Sequence, residues 1–137
     1  MTANRVRTNK LRLFCGLKEM GNSMIKRLEI GPRMSEVAVH NGTVYLAGQV
    51  ADDASADIQG QTAQVLAAVD ALLARVGSDK SRILMTQIFL ADLADFAGMN
   101  VVWDAWVVPG HTPPRATVQA ALARPDWKIE VVVTAAA

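Results

Sequence analysis

The sequence predicts an α+β domain in which two helices cover one face of a β-sheet, and three observations carry that prediction. Short β-rich runs with alternating polar and apolar residues lie at both ends of the chain. Two longer segments between them repeat apolar residues every three or four positions, and glycine, proline or Asn-Gly pairs separate the pieces. The expected order is β-β-β-α-β-α-β-β, with the second sheet face left for a partner to cover.

The pattern becomes regular from Met24. Ile25 to Ile30, Glu36 to His40 and Thr43 to Val50 read as three strands, with Gly31-Pro32 and Asn41-Gly42 as the turns. An Asn-Gly pair between β-rich runs is the strongest short hairpin signal. Asp52, Asp53 and Ser55 supply turn and cap chemistry for a helix from Ala56 or Asp57. Along it Val65, Leu66, Val69, Leu72, Leu73 and Val76 form a stripe that Gly77 closes. Arg82 to Ala91 is the next strand, and Asp92 to Val107 a second helix with Leu93, Phe96, Met99, Val102, Trp103 and Trp106 on its apolar side. Pro109-Gly110 stops it, and Arg115 to Leu122 and Trp127 to Thr134 are the last strands.

Composition narrows the function classes. Of 137 residues, 51% are hydrophobic and 20% charged, which fits one folded domain and excludes a disordered chain. The formal charge of +1 hides an asymmetry. Residues 1 to 23 hold Arg5, Arg7, Lys10, Arg12 and Lys18 against Glu19, a net +4, which leaves residues 24 to 137 at −3. A mildly acidic body lacks the basic face that nucleic acid requires. The stretch 1–23 is expected to be a disordered extension, or sequence upstream of the true start at Met24, rather than a targeting or nucleic-acid arm. The single cysteine, Cys15, excludes an internal disulfide and a multi-cysteine metal site, and a reducing, cytoplasmic setting is expected. No apolar run is long enough to span a membrane.

The last two strands carry the polar residues of interest. Arg115, Thr117 and Gln119 alternate onto one face of the first, and Lys128, Glu130 and Thr134 share a face of the second. If these strands pair as a hairpin through a two- or four-residue loop, parity brings Arg115, Gln119 and Glu130 to the same face, whereas a three-residue loop separates them. Arg115 and Glu130 then stand roughly 13 Å apart, at about 3.4 Å per residue. That spacing suits two groups gripping opposite ends of a small ligand, or groups completed by a neighbouring subunit. An arginine fork binds a carboxylate through two parallel charged hydrogen bonds, and a glutamate can move protons to and from a water.

Pro113-Pro114-Arg115-Ala116-Thr117-Val118, followed by Lys128-Ile129-Glu130-Val131, resembles the C-terminal signature of the RidA (YjgF) family. Ile30-Gly31-Pro32, Val44-Tyr45-Leu46-Ala47-Gly48-Gln49 and Asp92-Leu93-Ala94-Asp95-Phe96-Ala97-Gly98-Met99-Asn100 agree with it in order and spacing across 24–137. The resemblance implies a chorismate-mutase-like fold with two helices on a mixed sheet. It also implies a homotrimer with clefts between subunits, and no cofactor or metal. The implied activity is hydrolysis of reactive 2-imino and enamine carboxylates to 2-oxoacids and ammonia, clearing intermediates such as those released when pyridoxal-phosphate enzymes dehydrate serine or threonine. By position Arg115 matches the family's carboxylate-binding arginine and Glu130 its active-site glutamate. Asn100 matches a cleft asparagine, Thr117 a position often held by cysteine, and Gly48 a backbone contact. The rival expectation is a non-catalytic trimer that binds small carboxylates or a protein partner.

Two residues depart from the pattern. Thr117 stands where cysteine is frequent, and Arg33 where an aromatic residue usually follows Gly-Pro. Arg33 either reaches a longer or dianionic substrate or points into solvent. Elsewhere bland roles are expected: structural histidines at His40 and His111, turn and cap service for Asp52 and Asp53, and core packing for Trp103 and Trp106. No serine sits in a G-x-S-x-G setting.

Overall fold

A computed structural model describes residues 24–137; the stretch 1–23, with Cys15, lies outside the described residues. Strands β1 (Lys26–Ile30), β2 (Ser35–His40) and β3 (Thr43–Leu46) form an antiparallel meander. The β2–β3 turn is the expected Asn41-Gly42, with φ of 50° and 75°, the left-handed geometry a tight hairpin needs. β3 stops at Leu46 instead of running to Val50. The Ala47 amide bonds back to the Glu36 carbonyl at 2.9 Å, and pairing resumes only as an isolated bridge between Gln49 and Val131.

Helix α1 (Ile58–Arg75) starts where Asp57 accepts the Gly60 amide at 2.8 Å. Val65, Leu66, Val69 and Leu73 bury its inner stripe. A 3-10 turn at Lys80–Arg82, capped by Asp79, leads into β4 (Ile83–Leu90). The Ser81 hydroxyl, and then its amide, hold the Asp79 carboxyl below its ordinary value. The second helical segment is split: Asp92 caps a 3-10 turn at Leu93–Asp95, and helix α2 proper is Phe96–Trp106.

Strands β5 (Arg115–Gln119) and β6 (Ile129–Ala136) complete a six-stranded sheet in the order β1-β2-β3-β6-β4-β5. The expected hairpin of the last two strands is not formed. β4 lies between them, antiparallel to β6 and parallel to β5, so the sheet is mixed. The physical reason is the segment between β4 and β5: a helix returns the chain to the same end of the sheet, which makes the next strand parallel.

Both helices pack on one face, over Val37, Val44, Leu46, Ile88, Leu90, Ile129, Val131 and Val133, all buried. The other face carries Tyr45, Met85 and Val118, each exposed, along with half-buried Phe89 and Val132. A sheet face this apolar and this open is one that another surface is expected to cover.

Candidate active site

Arg115 opens β5 on the helix-covered face, in register with Thr86. Its Nη1 donates to Asn100 Oδ1 at 2.8 Å. The guanidinium carbon lies 5.1 Å from the Trp103 ring centre and 5.9 Å from that of Phe96. Phe96, Asn100 and Trp103 are four and three residues apart on α2 and therefore form one stripe. That stripe acts as a cradle: two aromatic rings attract the cation and an amide oxygen sets its orientation. Nε and Nη2 remain for an anion, with no hydrogen-bond partner among the described residues. Thr117 follows on the same face, opposite Ile88.

Glu130 occupies the other face of the sheet. It pairs with Phe89, whereas Arg115 pairs with Thr86. Three residues along β4 is an odd step, so the two side chains project from opposite faces. With about 10 Å along the strand and two strand spacings of about 4.8 Å across, their Cα atoms stand roughly 14 Å apart. The shared face expected from the hairpin is thereby corrected: within one chain Arg115 and Glu130 do not converge.

Glu130 rests against Gly48. A Cβ at position 48 would sit 2.9 Å from Glu130 Cδ and overlap Oε1, so only glycine gives the carboxyl this room. The loop that carries Gly48 is pinned on both sides. Gln49 exchanges two backbone hydrogen bonds with Val131, at 2.8 and 3.0 Å, and its side-chain amide donates to Glu36 Oε2 and to the Ala47 carbonyl, both at 2.9 Å. Among the described residues the Glu130 carboxyl itself accepts no hydrogen bond.

The structure thus collects Arg115, Asn100 and Thr117 at one pole, and Gly48 and Glu130 at another. Arg33 lies apart from both, exposed in the β1–β2 turn at the opposite edge of the sheet from β5. Sequence reasoning missed Phe96 and Trp103 as supports of the arginine, although their spacing with Asn100 was the available signal. It also missed Thr86, fully buried beside Arg115. The Oγ1 atoms of Thr86 and Thr117 are both buried, with no hydrogen-bond partner among the described residues. Among the described residues no group of His, Cys, Asp and Glu could hold a metal ion, and no helix is long and apolar enough to cross a membrane.

Comparison with known proteins places this geometry. Residues 24–137 match the family model described as endoribonuclease L-PSP. A RutC family protein of Haemophilus ducreyi is 52% identical over 113 residues, covering 82% of this chain and 97% of its own. The solved structure of a YjgF-family member from Neisseria meningitidis is 45% identical, with a TM-score of 0.82 over 84% of this chain and 96% of that one. The chloroplastic Reactive Intermediate Deaminase A of Arabidopsis thaliana is 34% identical over 108 residues, 74% of this chain and 57% of that longer protein.

Proposed function

The chain belongs to the RidA (YjgF) family, whose model bears the description endoribonuclease L-PSP, and from that premise we propose that it hydrolyses 2-imino and enamine carboxylates to 2-oxoacids and ammonia. The observation that carries the reading is the Arg115 cradle: a cation tied at one edge to Asn100, stacked on Trp103 and Phe96, and open at its other edge. Such an arrangement binds a planar carboxylate through paired charged hydrogen bonds. The relative named a reactive intermediate deaminase supports the choice of reaction.

In this mechanism the enamine tautomer first takes a proton at carbon and becomes the iminium. Arg115 holds the carboxylate so that the iminium carbon is presented to a water. Glu130 accepts a proton from that water as its oxygen bonds to the carbon, giving a carbinolamine. The same proton then passes to nitrogen; as the C–N bond breaks and ammonia leaves, Glu130 takes the proton of the carbinolamine hydroxyl, and the carbonyl of the 2-oxoacid forms.

Because Arg115 and Glu130 project from opposite faces of one sheet, we assign them to different copies. The arginine comes from one subunit and the glutamate from its neighbour, in a closed ring of three. The open apolar face bearing Tyr45, Met85 and Val118 supports such an assembly.

The test measures ammonia and 2-oxoacid release from 2-iminopropanoate or 2-iminobutanoate generated in situ. Wild-type protein accelerates it and Arg115→Ala does not. Mixing inactive Arg115→Ala and Glu130→Gln chains, after dissociation and reassembly, should restore about a quarter of the sites, those with an intact arginine facing an intact glutamate in a cyclic assembly. Zero recovery would place both groups in one chain. Unimpaired hydrolysis by Glu130→Gln, with binding lost in Arg115→Ala, would leave a carboxylate-binding module in place of an enzyme.

A further inference from the structure

Two hydroxyls near the anchor have no hydrogen-bond partner among the described residues. Thr86 lies directly opposite Arg115 across the β4–β5 pair, and Thr117 lies two residues further along β5, so all three project from the helix-covered face. Neither hydroxyl oxygen is open to solvent. Each is therefore a buried group of the kind that an enclosed water satisfies. The Cα atoms of diagonal neighbours in a sheet are about 8 Å apart, from a lateral step of about 4.8 Å and a rise of about 6.6 Å. Two hydrogen bonds of about 2.8 Å through one water, plus the reach of both side chains, span that distance. Internal waters characteristically gather about three hydrogen bonds from buried groups that lack protein partners. Two such groups are the hydroxyls, and the third is the guanidinium of Arg115, the residue in register with Thr86, which among the described residues uses only Nη1, toward Asn100.

We propose that Thr86 is a positioning residue for the carboxylate anchor: with Thr117 it holds one enclosed water that accepts an N–H from Arg115. The guanidinium is then fixed from beneath by the water as well as from α2 by Asn100, and a pair of N–H groups remains for the ligand. The inference rests on reading Arg115 as that anchor. It gives a role to Thr86, on the strand beside the one that carries Arg115.

The first test is a high-resolution crystal structure of the full chain. Ordered density bridging the two hydroxyls in wild type and missing in Thr86→Val is the expected result, and a wild-type structure with no water there overturns the proposal whatever the activity. The second is kinetic. Thr86→Val preserves shape and should raise KM for 2-iminobutanoate, and Kd for 2-oxobutanoate, about fivefold while kcat stays within about twofold; Thr86→Ser should restore both. Unchanged KM and Kd in Thr86→Val would mean an idle hydroxyl, and a serine variant as impaired as the valine one would mean a packing role; either refutes the idea. Thr117→Val supplies the same readout from the edge strand should Thr86→Val fail to fold. If both fold, the double variant should be no worse than the more impaired single, and additive losses would contradict a shared water. Wild-type protein that binds no 2-oxoacid at all would sink the anchor reading itself, a result distinct from wild-type binding that Thr86→Val leaves untouched.

Discussion

Around Arg115 the neighbours are side chains that fix it, Asn100 through an oxygen and Trp103 and Phe96 through their rings, whereas Glu130 has beside it a glycine and a pinned loop that give it room but no bond. One pole is completed within the chain. The other is only cleared, and in the proposed assembly the neighbouring subunit supplies what the glutamate faces. Ligand binding and proton transfer are therefore expected to separate on mutation, binding following the helix-covered pole and turnover the open one.

The largest effect should come from Arg115→Ala, which removes the paired charged contact proposed for the carboxylate. Both 2-oxoacid affinity and hydrolysis should fall by about a hundredfold or more, as calorimetry and steady-state kinetics would show. Retained affinity would break the comparison at its stronger pole. Glu130→Gln should lower kcat by about a hundredfold or more while leaving 2-oxoacid affinity within about threefold, and a matching loss of affinity would mean that the glutamate binds rather than moves protons.

Gly48→Ala presses a methyl group into the Glu130 carboxyl and should reduce kcat about tenfold with a smaller change in KM, since a displacement of about 1 Å in a reacting group is felt at that scale. Gly48→Ala with wild-type turnover would show that the carboxyl need not lie where it does. The smallest effect is expected from Phe96→Leu on the exposed rim of α2. Losing one cation–π contact, worth about 0.5–1 kcal/mol, should raise KM about two- to fivefold and leave kcat unchanged. A kcat effect there would blur the division between the poles.

Much of this arrangement was legible in the residues. Asn41-Gly42, the Asp57 cap and the two helical stripes gave the element order because each is local chemistry. The alternation of Arg115, Thr117 and Gln119 was also legible, but which sheet face it lies on was not. Their side meets the helices, since Asn100 and Trp103 rise from α2 to receive the arginine. The pairing of β5 with β4 escaped because neighbours in sequence usually pair. The helix between β4 and β5 was the signal against it, and with β4 inserted the parity argument that joined Arg115 to Glu130 no longer applied. Thr86 was illegible for a different reason: a threonine in a buried strand looks like β-propensity until its hydroxyl is found without a partner.

One buried amide ties the open pole to the helix that backs the sheet. Gln61, fully buried on α1, donates to the carbonyls of Ala54, Ala56 and Asp126, each at 3.1 Å, and accepts the Lys128 amide at 2.9 Å. Lys128 lies in irregular chain just before β6, where an amide would ordinarily exchange its hydrogen with solvent through the breathing of its own loop. Here that hydrogen is held by a buried side chain of α1 instead of being left to solvent. The approach to Glu130 is thus anchored to a helix on the far side of the sheet and not only to its own loop.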